Sequence, residues 1–235
     1  MVFRNKGPNT HLVKSIVQQV MEFYYCAYPT KTPRRQVMKD IRWERPPRGW
    51  IKLNTDGSSL GNLGTAGGGG LVRDDSGQWL AGFSQRIGIT SSFMAELWAL
   101  RDGLKCCIDQ NFEVVVVELD ARAVIDILSN LNSPNLVVCS LVDDCRWMIA
   151  QIPQVLIKHC YREANRCADR LANMGGKQRT DFISYDSPPV DLFCFTDFDP
   201  SGLYLSRLCP ANLDVPLFCF NVIPLLTQKK EEETF

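Results

Sequence analysis

The chain has 235 residues, 45% hydrophobic and 22% charged, with 26 Lys/Arg balanced by 26 Asp/Glu. That composition favours a soluble globular protein with one ordinary core plus extensions, or two small domains. No apolar run approaches the length that crosses a bilayer, and the N-terminus lacks the apolar core and cleavage site of a secretory signal, so an intracellular protein without a membrane partner is expected.

Nucleus or cytoplasm is the expected compartment. Arg4, Lys6 and Lys14, with no acid before Glu22, are also compatible with an organelle transit peptide. The ten cysteines are scattered from Cys26 to Cys219 with no CxxC pair and no nearby histidine cluster. They read as reduced, buried apolar residues rather than zinc ligands or disulfides. The charge balance hides an asymmetry. Residues 1–48 carry ten basic and three acidic side chains, a net +7, whereas 49–176 and 177–235 carry −3 and −4. A basic arm on a mildly acidic body suits a polyanion partner, and suits a solvated linker still better.

In chain order, residues 10–28 place Val13, Ile16, Val17, Val20 and Phe23 at helical spacing, which predicts a short amphipathic helix. Residues 28–50, with four prolines and repeated basic side chains, read as a linker. "WIKLNTD" then alternates, with Ile51, Leu53 and Thr55 on one face and Lys52, Asn54 and Asp56 on the other, as in a strand half covered by a core. "GGLVRD" and "WLAGFSQRI", joined through "DDSGQ", make a hairpin, so three antiparallel strands come first.

"SSFMAELWALRDGLKCCIDQ" opens on capping serines and reads as a helix. "EVVVVELD" is short and β-branched, a buried parallel strand ending in Asp120. Two helices, "ARAVIDILSNL" and "SLVDDCRWMIAQI", precede a fifth strand, "QVLIKHCY", and a last helix, "EANRCADRLANMGG", expected to stop at its paired glycines. Trp79, Trp98 and Trp147 fall at core spacing. The order βββαβααβα predicts an α/β domain over 49–176: a five-stranded mixed sheet, three strands antiparallel and two parallel, with helices on both faces. Residues 1–48 form a basic helix and linker before it. Residues 177–235, rich in Pro, Asp and aromatics, form an irregular tail.

Four acids occupy comparable places in this layout: Asp56 on the first strand, Glu96 in the first helix, Asp120 after the fourth strand and Asp169 in the last helix. If the first and fourth strands are parallel neighbours, their aspartates lie side by side at the carboxyl edge, where open α/β sheets gather ligands. Carboxylates crowded there repel one another unless protonated or neutralised, and Mg²⁺ is the natural neutraliser. Two such ions can serve a phosphodiester displacement.

"NTDGSSLGNLG", "FMAELWALRDGL", "VVVVELDARAVI" and "HCYREANRCADRLAN", in this order over residues 50–176, resemble the type 1 ribonuclease H domain, in the plant subfamily associated with retroelement reverse transcriptases. The resemblance implies the ribonuclease H-like fold and hydrolysis of the RNA strand of an RNA/DNA hybrid, leaving 5′-phosphate and 3′-hydroxyl ends. It makes Asp56, Glu96, Asp120 and Asp169 the ligands of two Mg²⁺ ions, with Mn²⁺ as a substitute, and His159, ten residues before Asp169, a proton carrier. His159 also reads as a hydrogen-bonded strand residue.

Contacts to the hybrid are implied for Gly57, Ser58, Asn62, Ser91, Ser92 and Arg162. The chain departs from the family where Ser91, Ser92 and Phe93 replace Thr-Asn-Asn or Thr-Asn-Gln, and it lacks the family's basic protrusion. The expected protein is a monomer. A second reading is a nucleic-acid-binding remnant of a retroelement polyprotein with weak or absent activity. Duplex DNA cleavage by a related fold is a third.

Overall fold

The computed structural model describes residues 36–61, 63–129, 139–193, 204–210 and 217–220. The predicted N-terminal helix and Asn62 lie outside these residues. The elements are β1 (Gln36–Ile41), β2 (Ile51–Ser59), β3 (Gly64–Arg73), β4 (Trp79–Thr90), α1 (Ser92–Asp109), β5 (Val114–Leu119), α2 (Arg122–Ser129), α3 (Cys139–Gln151), β6 (Gln154–His159), α4 (Arg166–Lys177), β7 (Phe182–Tyr185), β8 (Leu205–Pro210) and β9 (Leu217–Phe220). A single 3₁₀ turn, Arg162–Ala164, precedes α4. None of the described helices is long and apolar enough to cross a membrane.

The sheet runs β7-β4-β3-β2-β5-β6-β9. Its middle five strands are the expected ones: β2, β3 and β4 pair antiparallel, and β2-β5 and β5-β6 pair parallel. The hairpin between β3 and β4 follows the Asp-Ser-Gly signal. Asp74 Oδ1 accepts from the backbone of Ser76 and Gln78, and Gly77 takes the positive φ.

α1 packs on one face of the sheet. It places Phe93, Leu97, Leu100 and Leu104 over Leu53 and Val117, and α2 and α3 add Ile125, Val142 and Ile149 to the same buried cluster. α4 packs on the other face, where Leu171, Ala168 and Cys167 meet Leu71. Each fully buried aliphatic side chain here contributes about 1.5–3 kcal/mol relative to exposure.

Several expectations change. β2 is covered on both faces, so Lys52, Asn54 and Asp56 are as buried as Leu53. The second strand starts earlier than "GGLVRD", since β3 takes in the preceding glycines from Gly64 onward. α4 runs through both terminal glycines instead of stopping at them. The reason is proximity: a Cβ on Gly175 would lie 2.3 Å from the Gln85 carbonyl oxygen. Trp79 and Trp98 pack against the two clusters, but Trp147 is 65% exposed.

The linker and tail are not wholly irregular. β1 lies between the prolines of the linker and pairs antiparallel with β8. β7 pairs with β4, and β9 with β6. A 3₁₀ turn, Val190–Leu192, drives Leu192 fully into the α4-side cluster. These strands find partners far away in sequence, which local composition does not announce.

Candidate active site

Asn54 pairs with Glu118 in the parallel β2-β5 register. Continuing that register by two residues sets Asp56 beside Asp120, just past the end of β5. Glu96 arrives from α1. Buried Ser91 starts this helix, its Oγ accepting the Met94 N–H at 3.3 Å. α1 can lie this close to β2 only because residue 57 is glycine, where a Cβ would sit 2.1 Å from the Glu96 nitrogen. Asp169 occupies the first turn of α4, its N–H donating to the Asn165 carbonyl at 3.0 Å.

Carboxylate oxygens of Asp56, Glu96 and Asp120 meet within 4.8 Å of one another. Asp56 is 1% exposed and Glu96 8%. Both Asp56 oxygens and Glu96 Oε2 are buried without a hydrogen-bond partner. Orphaned buried carboxylate oxygens are costly, and a hard cation smaller than water is the group whose chemistry matches them.

Burial, then the charges of Glu96, Asp120 and Asp169, push the Asp56 carboxyl well above its ordinary range. Burial and then Asp120 do the same to Glu96, against a hydrogen bond from the Gly57 backbone and the charge of Arg162. Arg162 stands at the rim, its Nε 3.5 Å from Asp120 Oδ2 and its side chain 71% exposed. Burial alone would lower its pKa, but Asp120, Asp56, Asp169 and Glu96 together raise it.

Asp169, the fourth predicted acid, lies outside the group of three whose oxygens meet within 4.8 Å, but its charge reaches Asp56 and Glu96. Asn173 Nδ2 donates to its Oδ2 at 3.1 Å, and Ser58 Oγ donates to Asn173 Oδ1 at 3.1 Å. The expected substrate contacts therefore divide. Gly57 spends its amide on Glu96, Ser58 braces Asp169 through Asn173, and Ser91 is a buried cap. Ser92 is exposed at the first turn of α1, and Arg162 is exposed beside the acids. His159 ends β6 with Nε2 3.1 Å from the Asp120 carbonyl oxygen.

Asn54, Asn165 and Asn173 were not singled out from sequence. The one available signal was position: Asn54 shares a strand face with Asp56, and Asn165 and Asn173 lie one helical turn on either side of Asp169.

The reverse transcriptase-like family matches residues 54–175. A protein of Arabidopsis thaliana named "Putative ribonuclease H protein" is 39% identical over 154 residues, which cover 66% of this chain and 25% of that protein. The chain thus spans about a quarter of that relative's length. Among solved structures, the N-terminal RNase H domain of a Mycobacterium tuberculosis protein superposes with a TM-score of 0.52 at 27% identity, over 55% of this chain and 94% of that one. LC11-RNase H1, isolated from compost and solved with an RNA/DNA hybrid, gives 0.50 at 26% identity, over 54% and 96%. The sheet order, the helices on both faces and the matched span all agree: this chain belongs to the reverse transcriptase-like family and contains a type 1 ribonuclease H domain.

Proposed function

We propose that the chain hydrolyses the RNA strand of RNA/DNA hybrids at the carboxylate site, with two Mg²⁺ ions. The observation that carries this is the meeting of Asp56, Glu96 and Asp120 within 4.8 Å, with orphaned oxygens on two of them. Support comes from the hybrid bound by LC11-RNase H1 and from the name of the Arabidopsis relative.

Asp56, Glu96 and Asp120 would hold the ions, with Asp169 as the further ligand. Divalent ions held there would supply activation of the attacking water and neutralisation of charge at the departing 3′ oxygen, consistent with 5′-phosphate and 3′-hydroxyl ends. The chain's own groups do the rest. Burial of Asp56 and Glu96 keeps bulk water from screening the site. Arg162 places an exposed positive charge at the entrance, where a scissile phosphate would approach. The start of α1 offers Ser92 and the positive end of a helix to a neighbouring phosphate.

The test is cleavage of an end-labelled hybrid by the purified chain in Mg²⁺, resolved on a denaturing gel. RNA fragments with 5′-phosphates are expected, and Asp120→Asn should abolish them. No cleavage above that variant would leave a nucleic-acid-binding remnant. Cleavage of duplex DNA but not hybrid would move the substrate to another class.

A further inference from the structure

Next to the carboxylates lies a second buried polar cluster, formed where a segment preceding the family-matched region folds onto the sheet. Trp43 is 3% exposed, and its ring lies 3.7 Å from the Arg73 guanidinium and 5.3 Å from the Lys52 ammonium. Its Nε1–H donates to Asn54 Oδ1 at 3.0 Å, and Arg73 Nη2 donates to the same oxygen at 3.3 Å. Indole and guanidinium groups only donate, so this atom is the amide oxygen. The Asn54 NH₂ group is thereby aimed the other way, at Asn165 Oδ1 (3.2 Å) and Glu118 Oε2 (3.4 Å). Lys52 closes the cluster, donating to Glu118 Oε1 and to the Glu44 carbonyl, both at 2.6 Å.

The connections fall in a regular relation to the acids. Asn54 precedes Asp56 by two residues on one face of β2, and Glu118, on β5, precedes by two residues Asp120 just past that strand's end. Asn165 precedes Asp169 by one helical turn, accepts its N–H at 3.0 Å, and anchors to the sheet by donating Nδ2–H to the Thr55 carbonyl at 2.8 Å. Three of the four acid-bearing segments are thus tied together one structural repeat behind their acids. Trp43, sharing that oxygen with Arg73, supplies the shorter of the two donors that set which way the tying amide faces.

We propose that Trp43 is a positioning residue for the carboxylate site, acting through Asn54 and Asn165 to fix the start of α4, and with it Asp169, against β2. This rests on the ribonuclease reading of the site. Catalysis then depends on a segment that the matched region, 54–175, leaves out.

Trp43→Phe keeps an aromatic ring against Arg73 and removes the N–H donor. Hydrogen exchange should accelerate by about tenfold or more at the amides of residues 166–170 and stay near wild type in α3, since a local tie opens locally. The kcat for hybrid per folded molecule should fall about tenfold with KM within about twofold, as for loss of an interaction that matters chiefly in the transition state. The affinity of the nucleic-acid-free protein for Mn²⁺, read by calorimetry, should fall with it. If Trp43→Phe does not fold, Asn165→Ala removes the last link without touching the indole, with the same expectations. Uniform acceleration of exchange, or unchanged exchange at 166–170, overturns the proposal. So does local acceleration that leaves both kcat and Mn²⁺ affinity unchanged. Should the wild-type chain cleave nothing, the ribonuclease reading fails by itself, and exchange with Mn²⁺ affinity still decides the role of Trp43.

Discussion

His159 Nε2 lies 3.1 Å from the backbone carbonyl oxygen of Asp120, across the ends of the parallel strands β5 and β6. A carbonyl only accepts, so this nitrogen carries the proton. Burial, then the charge of Arg122, lowers the ring's pKa against the opposing pull of Asp120, which keeps the imidazole neutral at neutral pH. A neutral ring committed to main chain braces the loop that carries Asp120. His159→Ala is expected to lose about tenfold in activity or less, against complete loss in Asp120→Asn, while the pH–rate profile keeps its wild-type shape. Disappearance of a limb of that profile would instead make His159 a proton carrier.

The raised Asp56 pKa has a consequence for stability. A carboxyl that holds its proton more tightly folded than unfolded contributes stability that is present at low pH and lost as pH rises through its folded pKa. At neutral pH without metal, Asp56→Asn should therefore melt above wild type. The gap should close as pH falls below the ordinary carboxylate range. Added Mg²⁺ should raise the wild-type melting temperature more than that of the variant, because only ligands binding the folded state stabilise it. Thermal melts in chelator and in Mg²⁺ across pH check all three, and a variant less stable than wild type in chelator at neutral pH would contradict the crowding of charge at Asp56.

Residues 1–35 hold six basic side chains and one acidic, a net +5. Removing them leaves Trp43 in place and separates phosphate attraction from the positioning role. Hybrid affinity should drop at low salt and converge on wild type at high salt, since counterion release gives each phosphate contact a slope of about −0.9 in log–log salt dependence. Parallel salt series for the two proteins would show that the arm makes no phosphate contacts.

The central domain was readable because its signals are local and periodic. The alternation of β2, the β-branched run of β5 and the apolar spacing of α1 each reflect burial against one neighbour, and these elements placed Asp56, Asp120 and Glu96 at one edge. What escaped depends on distant partners. β1 reads as linker because the strand that pairs with it, β8, lies more than 160 residues later in the chain. Lys52 and Asn54 read as solvent-facing because alternation cannot show that a proline-rich segment covers their side of the sheet. The bracing asparagines escaped for a similar reason, since an amide's role is set by which donors reach its oxygen.

Both borders of the seven-stranded sheet come from the last sixty residues: β7 flanks β4 and β9 flanks β6. A fragment trimmed to 54–175 would bare main-chain donors and acceptors along each margin and uncover the space that Leu192 fills. Such a piece would recruit strands from its own copies and precipitate, so failure to purify it as a soluble species would report on missing hems rather than on a broken catalyst.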